Sequence, residues 1–295
     1  MSSKKKSKKS AKKTSYAPRP KGLAGVRPDK ALGQNFLIDE DTIDTIVSES
    51  GVTKDTLVIE IGPGTGALTL PLAEATGRVI AVELDEDMIK GLRIKTFSLG
   101  NVEIIHQDIL ETDIKGLASE AMAEYGLKEL RIIGNLPYYI TTPIIMKLLE
   151  SDTGATSITV MMQKEVADRI AAEPGTRASG AITYPVHHYA RVSEIAFVPK
   201  ECFYPVPKVD SAVLRLDLRD EPAVKVKDED LMMRCIKAGF SMRRKTLLNS
   251  LTALGYQDKQ ILSEALNSAG IDPTRRAETL TLEEFAKLSD NLQEA

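Results

Sequence analysis

The chain is poor in sulfur donors. Cys202 and Cys235 are its only cysteines in 295 residues, too far apart in sequence to imply a disulfide framework. No run of about 18 apolar residues exists, which excludes a hydropathic membrane span. The first residues, MSSKKKSKKSAKK, lack the apolar core of a secretory signal. No G-K-[ST] occurs, so a P-loop is excluded. His106, His187 and His188 lack Cys or His partners at metal-ligand spacing, so no metal is expected. Together these absences point to a cytoplasmic protein of ordinary apolar content, 42%.

Charge is unevenly placed. Residues 1–21 hold nine of the 39 basic residues and no acid, while the rest sets 30 bases against 42 acids. Such an acidic bulk argues against a protein that merely coats nucleic acid, so any RNA contact must come from local patches. Residues 1–27, rich in Lys, Ser and Pro, are too polar to bury a core. They are expected to form a disordered arm, either a solubilising tail or a non-specific phosphate binder.

From Pro28 to Asp220, strand and helix patterns alternate. Strands are expected at Leu57–Ile61, Arg78–Val82, Val102–Ile105, Leu130–Ile133, Ser157–Met161, Arg191–Phe197 and Val209–Leu216. Helices such as Asp85–Phe97 and Pro143–Leu149 lie between the first five. This βαβ alternation implies a mainly parallel, Rossmann-like α/β sheet covered on both faces. The last two strands, joined by VPKECFYPVPK, suggest an antiparallel edge pair. Beyond Glu221 only helices are expected, at Lys227–Ala238, Arg243–Leu254, Lys259–Ser268 and Leu282–Leu292. The organisation read from sequence is therefore an arm (1–27), an α/β domain (28–220) and a small all-α domain (221–295).

The stretch VIEIGPGTGALTL follows the first of these strands and opens a helix. Gly62, Gly64 and Gly66 would let a nucleotide-like ligand approach the backbone. The G-x-G-x-G spacing departs from the dinucleotide fingerprint, although dinucleotide-binding oxidoreductases remain the rival for the loop alone. Glu83 ends the second strand, where it could accept from two ribose hydroxyls. Asp108 follows the third, where it could accept from an adenine amino group. This arrangement resembles the class I S-adenosylmethionine-dependent methyltransferases, whose ligand has no phosphate and needs acceptors rather than a cationic cradle.

Asn135-Leu136-Pro137-Tyr138 stands at the carboxyl end of the fourth strand and resembles the [DNS]-P-P-[YF] motif of methyltransferases acting on planar amino nitrogens. The lone pair of such a nitrogen is delocalised into its ring. Two acceptors, the Asn135 side-chain oxygen and the Leu136 carbonyl, could hold its hydrogens and aim the lone pair. Pro137 would fix the backbone between them, and Tyr138 would offer a stacking face. Thr142 is expected to cap the next helix, with Pro143 as its first residue.

A wider resemblance joins these pieces. Leu32-Gly33-Gln34-Asn35-Phe36-Leu37, the Gly62 loop, Asn135–Tyr138 and Phe203-Tyr204-Pro205-Val206-Pro207-Lys208-Val209-Asp210-Ser211-Ala212-Val213 together resemble the ribosomal RNA adenine dimethyltransferase family. Phe240-Ser241-Met242-Arg243-Arg244-Lys245-Thr246-Leu247-Leu248-Asn249-Ser250-Leu251 is similar to the branch that modifies two adjacent adenines near the 3′ end of small-subunit RNA. The resemblance spans roughly residues 28–290. It implies S-adenosylmethionine held by Asn35, Leu37, Gly62, Glu83, Asp108 and Asn135, beside the Gly64 turn. It also implies a target base flipped out between Tyr138 and Phe203, and four methyl groups added over two adenines. The partner would be small-subunit ribosomal RNA within an assembling 30S subunit, the protein acting as a monomer. Two rivals are a resistance-type enzyme acting on large-subunit RNA and an assembly factor that works mainly by binding. Arg243, Arg244 and Lys245, in a basic stretch with Lys225, Lys227, Arg234 and Lys237, are the candidate phosphate contacts; Lys164, Arg169 and Arg177 form a weaker second patch.

Overall fold

The computed structural model describes residues 28–29, 32–242, 244–256 and 258–294. The basic arm lies outside them. In chain order β1 (Phe36–Leu37), α1 (Glu40–Glu49), β2 (Thr56–Ile61), α2 (Thr69–Ala75), β3 (Arg78–Glu83) and α3 (Glu86–Thr96) come first. Next follow β4 (Val102–His106), α4 (Ile114–Tyr125), β5 (Glu129–Asn135), α5 (Thr141–Glu150), β6 (Ser157–Gln163) and α6 (Lys164–Ala171). The α/β part ends with α7 (Thr183–Tyr189), β7 (Ala190–Val198), β8 (Phe203–Tyr204) and β9 (Ser211–Leu218). The tail consists of α8 (Glu229–Gly239), α9 (Leu247–Leu251), α10 (Lys259–Ser268) and α11 (Leu282–Gln293).

Seven strands form one sheet in the order β4-β3-β2-β5-β6-β9-β7. The five on the β4 side run parallel, and β9 pairs antiparallel with both β6 and β7. Every residue of β2 is buried, as expected for a central strand with helices on both faces. The strand order reverses beside β2, which has β3 on one side and β5 on the other. A crevice therefore opens at the carboxyl ends of these three strands, where ligands of open α/β sheets lie. Helix starts are set locally: the Asp85 carboxylate accepts the N–H groups of Asp87 and Met88, and Thr281 with Glu284 forms a capping box.

Three expectations need correction. Helix α5 begins at Thr141, not at Pro143, and its N-cap is Ile140 rather than Thr142. The turn in which Ile140 N–H reaches the Pro137 carbonyl starts the helix earlier, and the Thr141 hydroxyl donates to the same carbonyl. The helix expected at 243–254 is only α9 followed by a 3-10 turn at Thr252–Leu254, so Arg244 and Lys245 sit in the turn before it. Finally, β1 and β8 form a separate antiparallel pair that no periodicity announced, with Phe36 opposite Tyr204 and Leu37 opposite Phe203.

The two units are joined through α7. Tyr184 is wholly buried in the apolar cluster of the helical tail, between the rings of Phe240 (centroids 5.4 Å apart) and Phe285 (5.0 Å). Its hydroxyl shares a proton between the carbonyls of Ala277 (3.2 Å) and Leu280 (2.8 Å). Among the described residues, no helix is long and apolar enough to cross a membrane.

Candidate active site

The crevice is lined by residues 32–37, by the turn after β2, by the ends of β3 and β5, and by Gln107–Ile109 after β4. Gly62, Gly64 and Gly66 all have positive φ, at 65°, 52° and 83°. A Cβ at Gly64 would sit 3.2 Å from the Phe36 ring, and one at Gly66 would lie 2.6 Å from Leu92 Cδ1. Side chains here would have to force α3 and the 32–37 segment away from the loop.

Glu83 holds this loop to β3. Its Oε2 accepts Gly64 N–H at 2.9 Å, while Oε1 accepts Leu84 N–H at 2.8 Å and Asp85 N–H at 2.9 Å. A carboxylate offers about four lone-pair sites, so roughly one remains for a ligand hydroxyl. That revises the expectation that Glu83 receives two ribose hydroxyls: much of its role is to build the turn. Burial raises its carboxyl above the ordinary range, opposed by the three N–H groups. Asp108 Oδ1 accepts Leu110 N–H at 2.8 Å, and no described group engages Oδ2.

Sequence reasoning passed over Glu60. It is 2% exposed and lines the cleft from within β2, and its Oε2 has no protein partner among the described residues. Burial lifts its carboxyl to about 8, with help from the Glu83 charge. The signal was present: an acid interrupts the otherwise apolar Leu57–Ile61.

The chain leaves the sheet just after Asn135, where Leu136 N–H still bonds Met161 O at 3.0 Å. Asn135 Nδ2 donates to the Asn35 main-chain carbonyl at 3.1 Å. A carbonyl can only accept, so that contact defines which end of the Asn135 amide is NH2 and leaves Oδ1 as an acceptor. The Pro137 carbonyl is taken by Ile140 and Thr141, whereas no described donor engages that of Leu136. Neither acceptor read from the sequence therefore has a partner among the described residues. The Tyr138 hydroxyl lies 2.7 Å from the buried Ser211 Oγ, which fixes the ring at the cleft wall. Asn35 itself is braced by Nδ2 donating to Gly33 O at 3.0 Å, and Leu37 lines the cleft from β1.

Phe203 is the residue the structure does not bring to the cleft. It is 1% exposed and packs with Leu37, Val198 and Val213 in a separate apolar cluster. Pairing of β8 with β1 sets it opposite Leu37, so Pro205 and Pro207 do not present this ring to a base. The exposed aromatic beside Tyr138 is Tyr139, 56% exposed, with its ring against Gly33.

The basic patch survives in reduced form. Lys225 pairs with Glu221 and Lys227 with Glu294. Arg234 and Lys237 on α8, and Arg244 and Lys245 in the next turn, are exposed with no acidic partner among the described residues. Arg243 lies outside the described residues. In the second patch Lys164 pairs with Asp168 and Arg169 with Glu165, which weakens it further.

The cleft fits S-adenosylmethionine. Among the described residues its lining carries Glu60, Glu83 and Asp108 and no Lys, Arg or His, an environment that suits a cationic sulfonium better than the pyrophosphate of a dinucleotide. Sheet, glycine turn and acids define a class I S-adenosylmethionine-dependent methyltransferase. Residues 26–294 match the family model for ribosomal RNA adenine dimethylase, and the chain belongs to that family. A ribosomal RNA small subunit methyltransferase A from Bacillus pumilus is 47% identical over 269 residues, 90% of this chain and 91% of that protein. The protein of the same name from Oceanobacillus iheyensis is 44% identical, covering 88% and 89%. Among solved structures, the 23S rRNA methyltransferase ErmE superposes with a TM-score of 0.65 at 26% identity, covering 88% of this chain and 99% of that one. A Plasmodium falciparum dimethyladenosine transferase shares the fold, with a TM-score of 0.70 at 24% identity over 86% and 95% of the two chains.

Proposed function

We propose that the protein dimethylates the exocyclic amino groups of two adjacent adenines near the 3′ end of small-subunit ribosomal RNA, working as a cytoplasmic monomer on an assembling 30S subunit. The observation that carries the chemistry is the Asn135 amide, pinned through Nδ2 to Asn35 O so that Oδ1 remains an acceptor beside the unengaged Leu136 carbonyl. S-adenosylmethionine, when bound, supplies an electrophilic methyl group on a positively charged sulfur. The chain's own groups do the rest. Asn135 Oδ1 and Leu136 O accept the two amine hydrogens, which draws the nitrogen lone pair out of the ring plane. Tyr138, held by Ser211, supports the base face. No strong base is required, because the methylated nitrogen is cationic and sheds its proton to water. A second transfer starts from an amine with one hydrogen, so only one of the two acceptors can hold it while the first methyl group takes the other place.

The small-subunit substrate is supported by relatives at 44–47% identity that carry that name, whereas the large-subunit enzyme ErmE is only 26% identical. Arg234, Lys237, Arg244 and Lys245, exposed and with no acidic partner among the described residues, give the acidic molecule a surface for RNA phosphates. Mass spectrometry of nucleosides from small-subunit particles, incubated with protein and cofactor, tests the proposal. Dimethyladenosine at adjacent positions is expected. Tight binding without any methylated product would favour the assembly-factor reading, and modification confined to large-subunit RNA would favour the resistance type.

A further inference from the structure

Residues 32–37 cross the mouth of the crevice and are fastened at both sides. Gln34 Nε2 donates to Asp85 Oδ2 at 2.6 Å, just beyond β3. One residue on, Asn35 O accepts from Asn135 Nδ2 at 3.1 Å, at the end of β5. In the sheet β2 lies between those strands, so the two fastenings span the glycine turn. The Gln34 amide is engaged at both ends, since its Oε1 accepts Asp29 N–H at 2.8 Å. Asp85 in turn caps α3 through Oδ1, and its N–H donates to Glu83 Oε1. A path of hydrogen bonds, with one covalent step along the backbone from Gln34 to Asn35, thus runs from the acid expected to receive the ribose, through Asp85, to the carbonyl that orients Asn135.

We propose that Gln34 is a positioning residue for methyl transfer, tying the ribose side of the cleft to the orientation of the Asn135 amide. This rests on the reading of Asn135 as the amine's acceptor. If Asn35 O drifts, the Asn135 amide can turn its NH2 towards the amine, and donor then faces donor. The fault would appear in turnover at saturating cofactor, beyond any effect on cofactor affinity.

The test compares Gln34→Met, Gln34→Glu, Asp85→Asn and the pair Gln34→Glu with Asp85→Asn, each checked for an unchanged melting profile. Substrates are S-adenosylmethionine and small-subunit particles lacking the methyl groups. Gln34→Met keeps the side chain's length without its hydrogen bonds, and Gln34→Glu sets carboxylate against carboxylate. Both should lower kcat by about tenfold to a hundredfold, the scale of a small misplacement of a reacting group. The paired variant restores a hydrogen bond of reversed polarity and should recover most of that loss. Wild-type kcat in Gln34→Met and Gln34→Glu, a loss seen only in KM, or a folded pair that recovers nothing overturns the proposal. Asn135→Ala is measured alongside. If it keeps wild-type kcat, the acceptor reading fails and takes the proposal with it; if it collapses while the Gln34 variants do not, only the tie is wrong.

Discussion

Replacing Glu83 by Gln separates two roles for its carboxylate. If Glu83 only received a ribose hydroxyl, an amide of the same shape would keep an acceptor and lose little. The structure predicts otherwise, because Oε1 and Oε2 both already accept backbone N–H groups, from Leu84 and Asp85 and from Gly64. An NH2 at either position faces a donor. The less harmful placement puts it opposite Gly64 and leaves that N–H without its acceptor. Losing the partner of such a group costs about 1–3 kcal/mol. The free turn can relax to relieve that contact and the cofactor must then restore it, so affinity weakens by as much as roughly 5-fold to 150-fold, since about 1.4 kcal/mol is a factor of ten. Glu83→Gln should therefore be nearly as poor as Glu83→Ala. Calorimetric titration with S-adenosylmethionine and the non-reacting thioether product provides the readout. Near wild-type affinity in the Gln variant would refute a loop-building role for Glu83.

Other consequences follow from single contacts. Burial raises Glu60 from an ordinary 4.5 to about 8, so the folded protein holds a proton that the unfolded chain releases between those values. Unfolding free energy should fall as pH rises through that window, by on the order of 1.4 kcal/mol per pH unit, and level off above it. Glu60→Gln mimics the neutral form, so its melting temperature relative to wild type should climb from pH 5 to pH 9; a constant difference would show that Glu60 is not the titrating group. Tyr184→Phe strips a donor from the buried carbonyls of Ala277 and Leu280 and should lower stability by about 1–3 kcal/mol in urea melts. An unchanged midpoint would mean that this hydroxyl does not help join the two units. Changing Arg244 and Lys245 together to Ala should reduce the salt slope of RNA affinity by about 1.5, with cofactor affinity intact. An unaltered slope would place the phosphate contacts elsewhere.

The sheet was legible because parallel strands buried on both faces leave long apolar runs, and βαβ alternation orders them. Glu83, Asp108 and Asn135 were legible for a related reason: each stands where an apolar strand stops, at the end that faces a ligand. The β1–β8 pair was not, since two-residue strands carry no period. The position of Phe203 depends on that pair, so its burial could not be foreseen from a proline-rich stretch. Thr142 looked like a cap by residue type, yet the backbone turn from Pro137 to Ile140 decided where α5 starts. Gln34 and Ser211 act through partners 51 and 73 residues away, and nothing local marks such contacts.

The most direct test of the central claim is a single-turnover measurement with Asn135→Ala, at saturating S-adenosylmethionine and saturating small-subunit particles. With its acceptor gone, methyl transfer should slow by about a hundredfold or more while RNA affinity stays within a few-fold of wild type. Methyl transfer at the wild-type rate in that variant would contradict the account.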